Sequence, residues 1–190
     1  MHLILASASP RRLDLLARIG VVPDGVEPAE IDETPARGER PEAYAARVAA
    51  AKAAAVAARH PGKLVLSADT VVSAGLRILP KTENEAEART CLQLISGRRH
   101  RVRTAVTLID GGGRARHRLS TSVVAFKRLT ASEIDAYLVA GEWHGKAGGY
   151  AIQGRAEAFV QFLSGSHSGV VGLPLFETRA LLVSAGYALG

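Results

Sequence analysis

The sequence predicts an α/β fold, because apolar runs of strand length alternate along the chain with segments of helical pattern. Three segments carry this prediction: a strand and a helix within residues 3–20, a helix and a strand within 42–73, and two strands joined by glycines within 99–126. The 190 residues are expected to form a single domain, 1–190, with two lobes. A chain of this length can bury a sizeable core without disulfides or metals.

The composition favours an anionic partner. Hydrophobic residues make up 47% of the chain and charged residues 22%, which is ordinary for a soluble globular protein. The net charge of +6 at pH 7 attracts anions. Aromatic residues are only 5%, and no basic patch is interleaved with aromatics of the kind that stacks bases, so a nucleic acid is not the expected partner.

Neither a membrane nor an oxidising compartment is expected from the sequence. The single cysteine, Cys91, excludes an internal disulfide and a Cys-based zinc site. No apolar run approaches the ~18 residues of a membrane span, and the N-terminus lacks the basic and then apolar pattern of a signal peptide. A cytoplasmic enzyme fits these observations.

The first segment carries a candidate anion site at its strand-to-helix turn. Ser9 suits the N-cap and Pro10 the first helical position. Arg11 and Arg12 follow, although a first helical turn prefers acidic residues because the helix N-terminus carries about half a positive charge. With the Ser7 hydroxyl and the free backbone N–H groups, the two guanidinium groups would suit a phosphate. A solvated arginine pair at a poorly capped helix is the alternative.

Further charged candidates precede the central strand. After a second strand, predicted at 21–28, the adjacent Asp32 and Glu33 could hold a divalent cation, since hard cations prefer carboxylate oxygens. Considered alone, this pair is better explained as a solvated acidic turn. Lys52 lies among alanines on the helix predicted at 42–60, and it extends either toward an anion or into solvent.

The strand predicted at 63–73 contains a candidate general base. Apolar residues flank an interruption at 67–70, so the Asp69 carboxylate within it must be satisfied or functional. A buried aspartate near a cation is a candidate general base, and an aspartate that bonds local backbone N–H groups at a strand bend is the alternative. A hairpin then returns Lys81 to the neighbourhood of the same strand.

Two helices in the second half carry capping patterns. One is predicted from Thr82 to Ser96, with Thr82 as N-cap and Glu85 in the capping-box position, and the other from Thr130 to about Val139. The intervening strand pair places three arginines of the strand 99–110 on one face. A solvated strand face is favoured there over a path for a polyanion.

The segment 145–154 is rich in glycine and is predicted to lead into a short strand. Its glycines would permit close approach of the backbone to a ligand. The spacing matches neither the P-loop nor the dinucleotide fingerprint, which excludes the two commonest nucleotide-binding motifs.

Taken together, these segments resemble the Maf family of nucleoside triphosphate pyrophosphatases over nearly the whole chain. The motifs that carry the resemblance are LASASPRR at 5–12, Asp32-Glu33, Lys52, SADTVV at 67–72, Lys81, SGRRH at 96–100, GKAGGYAIQG at 145–154 and GLPLFET at 172–178. The resemblance implies an elongated, twisted, mixed β-sheet flanked by helices, with the site in a cleft between two lobes.

The resemblance also implies roles for residues already described. Asp69 would activate water for attack at the α-phosphorus, which releases pyrophosphate and leaves the monophosphate. The triphosphate would be held by Ser7, Arg12, Lys52 and Lys81. Such an activity would clean the nucleotide pool.

The same resemblance implies which residues bind a metal ion and which recognise the base. Glu33, with Asp69, would bind a divalent cation, Mg²⁺ or Mn²⁺. Arg11, Thr70 and Gln153 would determine which base is accepted, and the KAGGYAIQG form resembles the branch that acts on dTTP and UTP. The Gln153 amide offers a donor and an acceptor, which matches the O4 and N3–H edge of uracil and thymine. A homodimer is a further expectation.

Two other functions stay open at this point. One is a pyrophosphatase for another or modified base, such as 7-methyl-GTP, and the other is a nucleic-acid-binding or cell-division regulatory protein. The sequence also departs from the family's usual pattern at 79–82, where the loop could hold Lys81 differently, and at 155–158, which would alter the rim of the pocket.

Overall fold

A seven-stranded mixed sheet runs through the computed structural model, which describes residues 1–189. The strands are β1 (Leu3–Ala6), β2 (Gly25–Val26), β3 (Leu64–Ala74), β4 (Arg77–Leu79), β5 (Arg99–Ile109), β6 (Ala115–Phe126) and β7 (Val160–Ser164). The helices are α1 (Pro10–Ala17), α2 (Pro41–Ala57), α3 (Glu85–Ile95), α4 (Ala131–Val139), a 3₁₀ helix (Arg155–Phe159), α5 (His167–Val171) and α6 (Leu175–Ser184). The order across the sheet is β2-β1-β3-β5-β6-β7, and β4 also pairs with β3.

Strand β3 is the centre of this sheet. It pairs with β5 in an unbroken antiparallel register from Val65 to Ser73. On its other edge the neighbour changes, because β1 pairs in parallel as far as Ser67 and β4 pairs antiparallel from Val72. Residues 68–71 therefore have no strand beside them on that edge, and a cleft opens there. Ligands commonly bind where the strands of an α/β sheet diverge in this way.

Helices cover both faces of the sheet. Helix α2 packs on one face, where its Val48 and Ala49 share a core with Val71 and Ala105 of the sheet. The opposite face carries a core to which α1 and α6 contribute, with Leu5, Leu15, Leu66, Leu108 and Leu181 among its members. Another core surrounds α3, α4 and the ends of β5 and β6. The single domain with two lobes that the sequence predicts stays a prediction.

Several predicted elements are confirmed. The first strand and the Pro10 helix start lie where the sequence placed them, and the hairpin of β5 and β6 matches the predicted strand pair. Helix α4 has a complete capping box, because the Thr130 side chain and the Glu133 side chain each bond the other's backbone N–H. No helix among residues 1–189 is long and apolar enough to cross a membrane.

The predicted interruption of the central strand at 67–70 is wrong. Strand β3 is continuous from Leu64 to Ala74. The polar residues suggested a break, but each of residues 67–70 lies opposite a residue of β5 in an unbroken antiparallel register. Tertiary pairing therefore keeps Asp69 and Thr70 in the strand.

The predicted start of the next helix is also wrong. Helix α3 begins at Glu85, and its N-cap is Asn84, whose side chain accepts a hydrogen bond from the Glu87 N–H. Thr82 is fully buried, and its hydroxyl donates to the Trp143 carbonyl at 2.7 Å. Both residues can cap a helix, and this long-range bond occupies Thr82 elsewhere.

Two predicted strands are not formed as expected. Of the strand predicted at 21–28, only Gly25–Val26 pairs with β1. The glycine-rich segment does not lead into a strand, because residues 155–159 form the 3₁₀ helix before β7 begins.

A buried histidine ties β5 to the glycine-rich segment. His100 is 2% exposed, and its Nε2 lies 2.7 Å from the Tyr150 hydroxyl. One residue further, the Ala151 N–H donates to the Tyr137 hydroxyl of α4 at 3.0 Å. Burial lowers the pKa of His100 to about 4, so its imidazole is neutral at pH 7. The core around α3 and α4, which contains Tyr137 and Tyr150, thus anchors this segment beside the cleft.

We expect this histidine to make stability depend on pH. Its ordinary pKa is 6.5, so between pH 6.5 and about 4 the unfolded state binds a proton that the folded state does not. The full stabilisation is present above pH 6.5, and up to about 3 kcal/mol is lost as the pH falls toward 4. His100→Gln should flatten this part of the profile in urea unfolding between pH 4 and 7.5. The exposed-site control His167→Gln should keep the wild-type slope, and an unchanged slope in His100→Gln would contradict the prediction.

Candidate active site

The cleft lies at the open edge of β3 and has a volume of about 360 Å³. Its walls come from the turn between β1 and α1, the middle of β3, the hairpin loop after β4, the glycine-rich segment and the end of α5. All nine candidate site residues named from the sequence line this cleft: Ser7, Arg11, Arg12, Glu33, Lys52, Asp69, Thr70, Lys81 and Gln153. Residues far apart in sequence are thus brought to one place.

A chain of alternating charges forms the floor of the cleft. Lys52 is only 7% exposed, and its Nζ lies 2.8 Å from Asp69 Oδ1 and 2.9 Å from Glu33 Oε1. The other oxygen of Glu33, Oε2, accepts a hydrogen bond from Lys81 Nζ at 2.5 Å. The Lys52 ammonium therefore lies between two carboxylates that would otherwise repel each other.

Glu33 is held ionised by this arrangement. Partial burial is the largest single influence and opposes ionisation, but hydrogen bonds from Lys81 and Lys52 outweigh it, so the pKa of Glu33 lies below its usual value. The alternative of a solvated acidic turn therefore does not apply to Glu33. It does apply to the neighbouring Asp32. Asp32 is exposed and accepts a hydrogen bond from the Thr34 N–H.

Asp69 has one oxygen held and one unpartnered. The residue is 1% exposed, and its Oδ1 is bound to Lys52 across 17 positions of sequence rather than to local backbone. Its Oδ2 is buried and has no hydrogen-bond partner among the described residues. An unpartnered buried acceptor costs about 1–3 kcal/mol, so this oxygen is poised for a water molecule or a cation.

The turn between β1 and α1 is built around Ser7. Its Oγ accepts hydrogen bonds from the Ser9 N–H at 3.1 Å and from Arg12 Nη1 at 3.0 Å. Arg12 also donates from Nε to the Gly172 carbonyl at 2.9 Å, which joins the two ends of the chain. Ser9 is the N-cap residue of α1 by position, but its side chain makes no capping bond. At the start of α1, Pro10 has no N–H, and the N–H groups of Ser9 and Arg12 already donate to Ser7 Oγ and to the Ser9 carbonyl.

Three cations that line the cleft lack a carboxylate partner among residues 1–189, and one of them, Arg12, bonds only Ser7 and the Gly172 carbonyl. No ion pair joins Arg11 or Lys146 to an acidic side chain within residues 1–189, and Lys146 Nζ donates only to the His144 carbonyl at 3.0 Å. Desolvation and then the neighbouring Arg11 lower the pKa of Lys146. An anion beside Arg11 and Lys146 would offset the repulsion between the two charges. Sequence reasoning missed Lys146, although it quoted the Gly-Lys pair of the glycine-rich segment.

The two remaining candidates lie at opposite positions in the cleft. Gln153 is exposed, so its amide is free to meet a ligand at the rim. Thr70 is half-buried on β3, and its Oγ1 lies 2.9 Å from the hydroxyl of Thr104 on β5. Both face the same cavity.

The atypical hairpin loop is fixed by backbone bonds to the glycine-rich segment. The Thr82 N–H donates to the Lys146 carbonyl, the Gly145 N–H donates to the Thr82 carbonyl, and the Gly148 N–H donates to the Pro80 carbonyl. These bonds flank Lys81 on both sides, so the departure from the usual pattern still places its side chain at Glu33. The changed residues at 155–158 form part of the 3₁₀ helix beyond Gln153.

The arginines on β5 lie outside the cleft. Arg99 and Arg101 are exposed, and the Arg99 guanidinium stacks over the Phe162 ring at 5.1 Å. Arg103 donates from Nη1 to the Ser73 hydroxyl at 2.8 Å. The first two fit the solvated strand face that the sequence favoured, whereas Arg103 is tied to the sheet.

Comparison with known proteins identifies the family. The description "Maf-like protein" matches residues 2–185. The chain belongs to the Maf family. It is 63% identical to a protein of Rhodospirillum rubrum named "dTTP/UTP pyrophosphatase", over 99% of this chain and 90% of that one. A protein of Novosphingobium aromaticivorans with the same name is 62% identical, over 97% of this chain and 92% of that one.

A solved structure shares the fold of this Maf protein. The structure of a HAM1 protein from Coxiella burnetii superposes with a TM-score of 0.53 at 16% sequence identity, covering 97% of this chain and 100% of that one. The identity is too low to carry more than architecture. The predicted mixed sheet flanked by helices is confirmed.

The acidic residues alone do not form a metal cage. No group of three or more His, Cys, Asp or Glu side chains suited to a metal ion occurs within residues 1–189. The cleft offers two carboxylates, Glu33 and Asp69, and one unpartnered oxygen on Asp69. This donor set suits Mg²⁺, which is commonly bound by one or two carboxylates together with the phosphates of a substrate. The residues therefore fit a divalent cation that arrives with a phosphate ligand.

We expect Lys52→Met to destabilise the fold strongly. The change leaves the buried Asp69 without its counter-charge, and breaking one side of a buried ion pair costs about 3–5 kcal/mol. Lys81→Met is the matched comparison within the same network. Its side chain is 47% exposed, so its loss should cost less than about 1 kcal/mol. Urea unfolding at pH 7 measures both, and equal small losses would show that Asp69 does not depend on Lys52.

Proposed function

We propose that this Maf protein hydrolyses dTTP and UTP to the monophosphate and pyrophosphate. The observation that carries the proposal is Asp69, a buried carboxylate with one oxygen held by Lys52 and the other unpartnered. It lies in a cleft whose charged lining comprises five cationic residues and two carboxylates. An excess of positive charge around a single free carboxylate oxygen suits hydrolysis of a polyphosphate. The names of the two relatives support the choice of pyrimidine triphosphates.

In this proposal Asp69 is the general base. Its Oδ2 takes a proton from water, the water oxygen attacks the α-phosphorus, and the bond from that phosphorus to the bridging oxygen breaks. Pyrophosphate leaves with the bridging oxygen. Lys52 holds Oδ1 and so fixes the direction of Oδ2. Phosphoryl transfer of this kind depends on positioning and charge neutralisation rather than on covalent catalysis.

The remaining cations would hold the triphosphate. Ser7 and Arg12 lie at the turn into α1, where the positive end of the helix dipole also favours a phosphate. Lys52 and Lys81 would neutralise charge beside Glu33. Because Arg12 also donates to the Gly172 carbonyl, its guanidinium is oriented before substrate binds.

A divalent cation is part of the proposal. Glu33 and Asp69 would hold Mg²⁺ or Mn²⁺ jointly with the phosphates. When bound, such an ion neutralises phosphate charge and polarises the phosphorus–oxygen bonds. A cytoplasmic location and a homodimer, which were expected from the sequence, stay predictions.

Recognition of the nucleobase is assigned to the three candidates that remain. Arg11, Thr70 and Gln153 would distinguish the nucleobase, with the exposed Gln153 amide facing the polar edge of uracil or thymine. A pocket that bonds this edge would leave polar groups unpaired against cytosine, which weakens binding of the wrong base.

The central test is a substrate panel with Asp69→Asn beside the wild type. Purified protein with Mg²⁺ or Mn²⁺ should release pyrophosphate and monophosphate from dTTP and UTP in preference to the other canonical and modified triphosphates. Asp69→Asn should lose at least about 100-fold in kcat, because a general base contributes about 100- to 10,000-fold. Pyrophosphate and monophosphate are measured directly.

Other outcomes of this panel are informative. Turnover of a different base, such as 7-methyl-GTP, would keep the reaction and overturn the choice of substrate. Wild-type protein without turnover, but with salt-sensitive binding to duplex DNA that survives Asp69→Asn, would favour the nucleic-acid-binding function instead.

We expect Lys146→Met to weaken substrate binding. Its ammonium has no carboxylate partner in the cleft, so its charge is available to the substrate in the ground state. KM for UTP should rise about tenfold while kcat changes less. Lys127→Met is a matched control, since Lys127 pairs with Glu133 away from the cleft. Equal KM values for the two variants would remove Lys146 from the binding site.

A further inference from the structure

Thr104 lies behind the cleft and is absent from the cavity lining, yet it bonds a residue that faces the cavity. It is 1% exposed at the middle of β5, directly opposite Thr70 in the sheet register. Its Oγ1 lies 2.9 Å from Thr70 Oγ1 and 2.7 Å from the Gly169 carbonyl oxygen. Thr70, Thr104 and the Gly169 carbonyl thus form a chain of two hydrogen bonds from the cavity to α5, which is called the relay below.

The direction of the relay follows from counting protons. A carbonyl oxygen only accepts, so the bond at 2.7 Å takes the single hydroxyl proton of Thr104. The Thr104 oxygen must then accept from Thr70, because no second proton is available for the 2.9 Å contact. Thr70 therefore directs its own proton into the protein and presents only lone pairs to the cavity.

The Thr104 hydroxyl is the hydrogen-bond donor that satisfies the buried Gly169 carbonyl. Gly169 is buried, and the N–H groups of Gly172 and Leu173, which continue the chain after α5, both donate to the Ser168 carbonyl instead. A buried carbonyl without a donor costs about 1–3 kcal/mol. The Gly169 carbonyl therefore keeps the Thr104 proton, and this sets the donor and acceptor in both hydrogen bonds of the relay.

We propose that Thr104 is a specificity-determining positioning residue, which fixes the Thr70 hydroxyl as an acceptor for the imide N–H of uracil or thymine. The inference rests on the proposed function. Uracil and thymine carry a donor at ring position N3, whereas cytosine carries an acceptor at the same position. A Thr70 hydroxyl that can only accept therefore bonds the N3–H of uracil or thymine. Against cytosine it meets the N3 lone pair, and no hydrogen bond forms.

UTP and CTP are the discriminating pair of substrates. They share the ribose and the triphosphate and differ only at the edge that the relay would detect. The measured quantity is the ratio of kcat/KM for UTP to kcat/KM for CTP. A purely structural role of Thr104 would lower both values alike and leave this ratio unchanged, which separates positioning from packing.

Thr104→Val keeps the shape of the side chain but removes the relay. The Thr70 proton is then free to turn toward the cavity and bond cytosine N3, so the UTP/CTP ratio should fall about tenfold or more. Thr104→Ser restores the hydroxyl and should keep the ratio within about threefold of wild type. Thr104→Ala removes the same hydroxyl with less bulk, and it serves as a second test if the valine variant does not fold.

Two further variants sharpen the test. Thr107→Val is a matched control, because Thr107 is equally buried on β5 but bonds His117 away from the cleft. It should keep the wild-type ratio. Thr70→Val should lower the ratio, and adding Thr104→Val to it should change the ratio no further, since Thr104 acts only through Thr70.

The outcomes separate this inference from the proposed function. Wild type that hydrolyses UTP, with a ratio unchanged in Thr104→Val and Thr104→Ala, overturns the inference alone. Additive effects of Thr70→Val and Thr104→Val on the ratio also overturn it. Wild type that hydrolyses neither UTP nor CTP overturns the proposed function, and the inference with it.

Discussion

The site depends on the way in which β3 is paired. One edge is bound to β5 without a break, while the other passes from β1 to β4 and leaves residues 68–71 without a neighbour. The continuous edge holds the strand in the sheet, and the open edge makes room for a ligand. Because adjacent strand residues face opposite sides of the sheet, Asp69 and Thr70 reach the cavity from different faces.

Each of these two residues is controlled by a partner from outside the strand. Asp69 is held by Lys52 of α2, and Thr70 by Thr104 of β5, which in turn bonds Gly169 of α5. In both cases a buried neighbour uses one hydrogen-bonding site of the functional group and leaves the other directed at the ligand. The partners therefore fix the hydrogen-bonding direction of the Asp69 and Thr70 side chains as well as their positions.

The cleft also joins the two ends of the chain. Arg12 follows the first strand, yet it donates to the carbonyl of Gly172 near the last helix. Gly172 has a φ of +139°, and a side chain there would stand 3.7 Å from Arg12 Nε and 3.8 Å from Thr70 Oγ1. Those distances are ordinary contacts, so the positive φ rather than a lack of space favours glycine at this position.

The sequence by itself determined the alternation of strands and helices and the candidate site residues. Local patterns singled out Asp69 and the pair Arg11-Arg12 but left a structural alternative open at each. Thr70 and Gln153 came from the resemblance to the family alone. Only the tertiary structure decided that β3 continues through Asp69, that Asn84 rather than Thr82 caps α3, and that Lys146 joins the site. Each of these depends on a strand, carbonyl or charge that is distant in sequence, and no local pattern contains that information.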